Sequence, residues 1–197
     1  EIFLQRGAVP DWIVIPVGGG GTLGSVWRAF KDLREMGLID RLPKLAGVQP
    51  ADYNALEIAE QRGLTTDTEL RGLAWGDVPP TLLVKLAHTY PHDGYEALSA
   101  IRESGGAVCV ATDEQALAAQ PRIGGREGLY AEPSSTVALT AVEQLVREGR
   151  IAPNESIVAV LTGSGHRETH VLADRPLSFE RITPANGLAR LAAALGE

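Results

Sequence analysis

The chain has 197 residues, 44% hydrophobic and 22% charged, an ordinary globular composition long enough for one sizeable core. Its net charge of −7, with no block of basic residues, argues against nucleic-acid binding by phosphate neutralisation. No apolar run is long enough to span a bilayer, since Trp12 to Val17 is only strand-length.

Glu1 to Arg6, closed by Gly7, reads as the last turns of a helix with a glycine C-cap. No N-cap residue precedes it, and the only methionine, Met36, falls inside a later helix. The sequence is therefore expected to be one single-domain portion, residues 1–197, of a longer chain. Asp11 to Val17 is a near-continuous apolar run, as in a strand buried on both faces of a parallel sheet. Gly18 to Gly21 breaks it. Leu23, Val26, Trp27, Phe30, Leu33 and Met36 then recur at helical spacing up to Gly37. A second strand is expected at Leu45 to Gln49, followed by a helix from Ala51 to Arg62 ending at Gly63.

Gly63 to Pro91 reads as loop signals, Thr65 to Thr68 and Pro79-Pro80, around a weak helix. Alternation returns with a helix from Gly94 to Ser104 and a strand from Ala107 to Ala111. That strand holds the single cysteine, Cys109, which makes no intramolecular disulfide, reads as inert packing and favours the cytoplasm. A helix is expected from Asp113 to Ala119 with Thr112 or Asp113 as N-cap, then a loop from Gly124 to Gly128. Ser134 to Glu148 reads as a strong helix, with Ser134 or Ser135 as N-cap. Ser156 to Leu161 is the last core strand, and a short helix from Pro184 to Leu195 closes the chain. This alternation predicts an α/β fold, three layers αβα around a mostly parallel sheet.

Four glycines between a buried strand and a helix have a physical use. Glycine permits positive φ and lets backbone N–H groups approach a ligand closely. A helix N-terminus adds unpaired donors and a partial positive charge. Thr22 adds a hydroxyl, so Gly18, Gly19, Gly20, Gly21 and Thr22 form a candidate phosphate cradle. A bare strand-to-helix turn is the alternative, though it seldom needs four glycines in a row. A Walker loop needs Gly-Lys-Ser/Thr at its end, whereas Gly21-Thr22-Leu23 stands here. Gly19, Gly21 and Gly24 formally match a dinucleotide fingerprint, but Gln49-Pro50 stands where the ribose-binding acid is expected. A non-catalytic Rossmann-like nucleotide-binding domain is therefore a minor reading.

Pro16 to Thr22 resembles the phosphate-binding loop of fold-type II pyridoxal-phosphate (PLP) enzymes. Val9-Pro10-Asp11-Trp12, Ser104-Gly105-Gly106, Ala111 to Glu114, Glu132 to Ser135 and Leu161 to Gly165 resemble the threonine synthase branch of that family in order and spacing. The resemblance runs from residue 1 to about residue 170. It implies the C-terminal part of a fold-type II large domain, with PLP as cofactor. Gly18 to Gly21 and Thr22 would hold the PLP phosphate, and Thr162 would meet the pyridine nitrogen. A neutral hydroxyl there suits β- and γ-elimination and replacement more than transamination. Glu132 and Ser134 fall in a segment that borders the cofactor in the family, and Ser134 is the better fit to a helix cap.

The family's Schiff-base lysine and its neighbouring asparagine are not visible. Lys31, Lys44 and Lys85 are the only lysines, and all three read as solvated. The resemblance thus implies no catalytic residue within these 197 residues and an inactive chain taken alone. His166-Arg167-Glu168 stands where the threonine synthase pattern usually has Leu-Lys-Asp. His166 and His170 share helical spacing, but they lack the order of a zinc protease motif and a third ligand, so no metal site is expected. The function implied is a threonine synthase-like lyase converting O-phosphohomoserine to threonine and phosphate. The alternative within the class is a threonine or serine dehydratase-like ammonia-lyase. An amino-acid substrate is the expected small-molecule partner, with a homodimer the assembly allowed for.

Overall fold

The computed structural model describes residues 1–73, 80–168 and 186–196. Pro79, His170 and Pro184 lie outside the described residues. Four parallel strands form the central sheet: β1 (Trp12–Pro16), β2 (Lys44–Pro50), β3 (Ala107–Ala111) and β4 (Ile157–Ala159). Their order is β3-β2-β1-β4, with Val14 paired to Ala46 on one side and Ala159 on the other. Every residue of β1 is buried, as its unbroken apolar run requires.

Successive β1 side chains serve opposite cores. Ile13 and Ile15 join Leu23, Trp27 and Phe30 of helix α2 (Gly21–Glu35) and Leu98 and Ile101 of α5 (Gly94–Glu103). Trp12 and Val14 join Ala116 of α6 (Asp113–Glu127) and Val137, Ala141 and Leu145 of α7 (Pro133–Arg147). Each fully buried Ile or Leu contributes on the order of 2 kcal/mol. Helices on both faces of a parallel sheet make three αβα layers, as expected from the alternation. Among the described residues the remaining α-helices are α1 (Ile2–Arg6), capped by Gly7 at φ 67°, α3 (Ala55–Arg62), α4 (Asp67–Arg71) and α8 (Gly187–Leu195). No helix among the described residues is long and apolar enough to cross a membrane.

Three local expectations are corrected. The helix expected to stop at Ala119 runs through Pro121 and the glycine pair Gly124-Gly125 to Glu127, so Gly124 to Glu127 is helix rather than loop. Tertiary contacts override the weak propensity there. Gln120 donates to the Ala131 carbonyl at 2.8 Å, Arg122 pairs with Glu143 of α7, and Thr136 of α7 donates to the Ala116 carbonyl at 2.8 Å. Its start fits the expectation, with Thr112 as N-cap in a capping box with Gln115.

The helix expected over Ala51 to Arg62 is broken at Asn54, after a short 3-10 turn at Ala51–Tyr53. Thr66 opens α4 through a capping box with Glu69, giving the stretch from Gly63 to Pro91 a short helix, as expected. Neither Ser134 nor Ser135 caps α7. Glu132 occupies the N-cap position and Pro133 the first turn, where its missing N–H costs nothing. The two serines are left buried and free for other bonds.

Candidate functional site

The sheet order fixes where a ligand can sit. From β1 the chain moves outward to β2 and β3, then returns to place β4 on the other side of β1. The connection out of β1 runs by α2 on one face, and the connection into β4 comes by α6 and α7 on the other, leaving a crevice at this switch point beyond the carboxyl ends of β1 and β4. The glycine loop leaves the end of β1, and Thr162 follows the end of β4. A cavity of about 370 Å³ opens there, lined by Gly18 to Thr22 on one side and by Glu132 and Thr162 on another.

The loop opens α2 with Gly20 as N-cap at φ 103°, a conformation that favours glycine. The first intrahelical bond runs from the Gly24 N–H to the Gly20 carbonyl at 3.1 Å. The N–H groups of Gly21, Thr22 and Leu23 are therefore left without intrahelical acceptors. Together with the helix dipole they suit an anion.

The glycines also serve the fold. A Cβ at Gly20 would lie 2.5 Å from the Asp93 carbonyl oxygen, and one at Gly21 2.6 Å from Asp93 Oδ2. The Asp93 N–H donates to the Gly19 carbonyl at 2.7 Å. Segment 85–93 thus closes over the loop. Only at Gly19 would a methyl meet nothing tighter than ordinary contact, 3.9 Å from His88.

Thr162 is tied to the start of α7. Ser135, fully buried, accepts from the Gly163 N–H at 2.7 Å and lies 3.0 Å from the Thr162 hydroxyl. The Glu132 N–H donates to the Gly163 carbonyl at 3.1 Å, and Ala131 bridges Ser164. The Glu132 side chain is 4% exposed, and its Oε2 has no hydrogen-bond partner. Its carboxylate lies against Gly163, where a Cβ would meet it at 2.3 Å. An unsatisfied buried carboxylate oxygen beside a cavity is a costly feature that a ligand donor would relieve.

Gly18, Gly19, Gly20, Gly21, Thr22, Thr162 and Glu132 are thus brought together. Ser134 is not: it is fully buried, outside the cavity lining, and accepts a long bond of 3.4 Å from the Lys85 N–H. Sequence reasoning missed three contributors. Lys85, read as an ordinary solvated lysine, is exposed but lines the cavity, as do His88 and Arg167. Lys31 and Lys44 pair instead with Glu103 and Glu155. His166 stacks edge-on against Tyr130 with centroids 4.9 Å apart. No group of three or more metal-ligating side chains occurs among the described residues.

The donor set fits pyridoxal phosphate. First-turn amides and the Thr22 hydroxyl would meet a dianion, Thr162 would offer a hydroxyl to a ring nitrogen, and the glycine backbone admits close approach. The acid that a dinucleotide would need is replaced by Gln49, 2% exposed, whose Oε1 accepts from the Leu56 N–H at 2.8 Å. Gln49 serves the fold, which removes the ribose contact a nucleotide-binding reading requires.

The chain is 31% identical over 175 residues to the threonine synthase of Methanocaldococcus jannaschii, covering 87% of this chain and 42% of that protein. It is 34% identical over 166 residues to the threonine synthase of Methanosarcina acetivorans, covering 84% and 38%. The chain thus spans about two-fifths of the length of these curated relatives. Among solved structures, the processed form of threonine deaminase isoform 2 from Solanum lycopersicum superposes with a TM-score of 0.64 at 20% identity, covering 88% of this chain and 47% of that one. A fungal L-serine ammonia-lyase from Rhizomucor miehei gives 0.59 at 22% identity, covering 83% and 48%. These two establish the fold. Residues 1–163 match the model of the pyridoxal-phosphate dependent enzymes, and the chain belongs to that family, whose cofactor is pyridoxal 5′-phosphate.

Proposed function

We propose that this chain is the phosphate-binding portion of a cytoplasmic, threonine synthase-like lyase that converts O-phosphohomoserine to threonine and phosphate. The observation that carries the reading is the convergence of the glycine loop, Thr162 and the unsatisfied Glu132 carboxylate on one crevice. The identity to two archaeal threonine synthases supports the reaction over others in the family.

In this reading the N–H groups at the start of α2 grip the cofactor phosphate, and Thr22 adds its hydroxyl. Thr162 meets the ring nitrogen as a neutral partner. The bound cofactor supplies electron withdrawal from the substrate's α-carbon, and a neutral nitrogen partner suits elimination and replacement. Glu132 accepts a hydrogen bond from a donor on the bound ligand. Lys31 and Lys44 are held in ion pairs, and Lys85 stands on the wall of the phosphate cradle. None of the three serves as the Schiff-base lysine, so the 197 residues alone do not turn over.

The test is twofold. The full-length protein is assayed with O-phosphohomoserine, and threonine and phosphate are expected in equal amounts. Ammonia release from threonine or serine, without phosphate release, would instead establish the ammonia-lyase reading. Borohydride trapping with PLP, followed by peptide mapping, is expected to label none of Lys31, Lys44 or Lys85. Stoichiometric labelling of one of them overturns that assignment.

A further inference from the structure

We propose that Lys85, His88 and Arg167 form a second anion subsite in the cavity, apart from the amides that open α2, and that it takes the phosphate of a phosphorylated amino-acid substrate. The inference rests on the threonine synthase-like reading above and deepens it.

The cavity has two kinds of anion-binding wall. One is formally neutral: the free N–H groups at the start of α2, with a helix dipole worth about half an elementary charge. The other is cationic, made by the side chains of Lys85, His88 and Arg167. The two walls meet the glycine loop at different ends. The His88 ring lies against Gly18, at the β1 end, whereas the open amides begin at Gly21, where α2 starts.

The cationic wall is uncommitted. Lys31, Lys44 and Arg41 pair with Glu103, Glu155 and Asp11. Among the described residues the side chains of Lys85, His88 and Arg167 make no hydrogen bond or ion pair. Glu132 is the one carboxylate in the described lining, set against two permanent positive charges. The chain as a whole carries −7, so this wall runs against its average. Like charges facing one cleft focus their field into it and draw in an anion.

The wall is also held in place. Thr81 and the Leu82 N–H donate to the Asp113 carboxylate at 2.6 and 2.8 Å, and the Asp93 N–H donates to the Gly19 carbonyl at 2.7 Å. The backbone that carries Lys85 and His88 is thus pinned on both sides. Arg167 ends a short 3-10 turn, Gly165–Arg167, whose first N–H donates to the Tyr130 carbonyl at 2.8 Å.

These donors suit a phosphate ester. A guanidinium offers forked N–H groups that match phosphate oxygens, an ammonium adds a compact charge, and an imidazole adds a further donor. With the cofactor's phosphate on the amides, the cationic wall is left for a second dianion. Serine and threonine carry none, so this wall favours the phosphorylated amino acid over them. It also holds inorganic phosphate once released.

The experiment uses the full-length protein saturated with PLP, so that the cofactor's own phosphate fills the amides and added inorganic phosphate reports the second subsite. Inorganic phosphate is titrated by calorimetry and tested as an inhibitor against O-phosphohomoserine; competitive inhibition is expected in the parent. Lys85→Gln and Arg167→Gln, both at exposed positions, should each weaken phosphate binding and raise KM for O-phosphohomoserine about tenfold, with the 31P signal of bound PLP unmoved. His88→Gln, which keeps a donor, should lose less than His88→Ala. Inhibition by L-threonine, which has an α-carboxylate and no phosphate, should be unchanged in all four. Turnover of O-phosphohomoserine with unchanged phosphate affinity in Lys85→Gln and Arg167→Gln overturns the inference and leaves the reaction standing. An equal loss for L-threonine puts the substrate carboxylate on this wall and overturns it too. No turnover of O-phosphohomoserine by the parent removes the proposed reaction, and this inference with it.

Discussion

The His88 imidazole occupies the space into which a side chain at Gly18 would project: a Cβ built at Gly18 would lie 2.8 Å from both Cδ2 and Nε2 of His88. The glycine run is therefore doubly constrained, by packing against segment 85–93 on one face and by open amides on the other. The two constraints separate by position.

Gly20→Ala is expected to cost more than about 2 kcal/mol, because it combines a left-handed φ of 103° with a clash against the Asp93 carbonyl. Gly19→Ala should fold with stability within about 0.5 kcal/mol of the parent. Its added methyl nevertheless stands at the cavity, so affinity for inorganic phosphate or PLP should fall about tenfold, or by about 1.4 kcal/mol. Urea unfolding and a phosphate titration separate the two effects. Equal stability losses in both variants would refute the division.

Glu132→Gln should raise the thermal midpoint, since an amide is cheaper than a carboxylate to keep buried without a partner; the gain is expected to be about 1 kcal/mol. Turnover of the full-length protein should fall at least tenfold if this oxygen accepts from the ligand. A variant that is both less stable and fully active would assign Glu132 to the fold alone.

Cys109 is 1% exposed, and burial pushes its thiol up to about 12 from an ordinary 9.0. The folded chain should therefore resist thiol reagents at pH 8, and the thiol should react only on unfolding. The folded form holds the proton more tightly than the unfolded form. Stability is thus intact below about pH 9 and falls between pH 9 and 12, by up to about 1.4 kcal/mol per pH unit from this group. Cys109→Ala, less stable at neutral pH through lost packing, should show a shallower alkaline decline.

Asp11 joins β1 to the start of β4. Its carboxylate accepts from the Ser156 N–H at 2.7 Å and the Ser156 hydroxyl at 2.8 Å, and pairs with Arg41 at 2.8 Å. The bonds from Ser156, with a smaller share from Arg41, hold its carboxyl below the ordinary 3.8. A depressed carboxyl contributes stability above the unfolded value and loses it as pH falls below about 4. Asp11→Ala should cost about 2 kcal/mol at pH 7 and flatten the acid limb of a stability–pH curve. An unchanged acid limb would show that other carboxylates govern it.

Much of the fold was legible because it is written locally. The apolar run of β1, the 3.6-residue period of α2 and the glycine C-cap of α1 need only neighbouring residues to be read. The glycine loop between β1 and α2 was legible for the same reason, being contiguous from Gly18 to Thr22. The α6 helix was misread at Pro121 and Gly124-Gly125 because its stability comes from Arg122, Gln120 and Thr136 contacts with residues outside any local helical pattern, 11 to 21 positions away. The α7 cap was misread because Ser134 and Ser135 look like caps in sequence yet spend their hydroxyls elsewhere.

By itself the sequence determined the alternation of strands and helices, the glycine loop and the family resemblance, since each depends on spacing along the chain. Only the tertiary structure decided that β4 returns beside β1, and so opens the crevice where Thr162 and Glu132 meet the loop. It also brought Lys85 and His88 over the glycines and set Ser135 against Thr162. These pairs lie far apart in sequence, and their meeting depends on strand order and helix packing that no local pattern encodes.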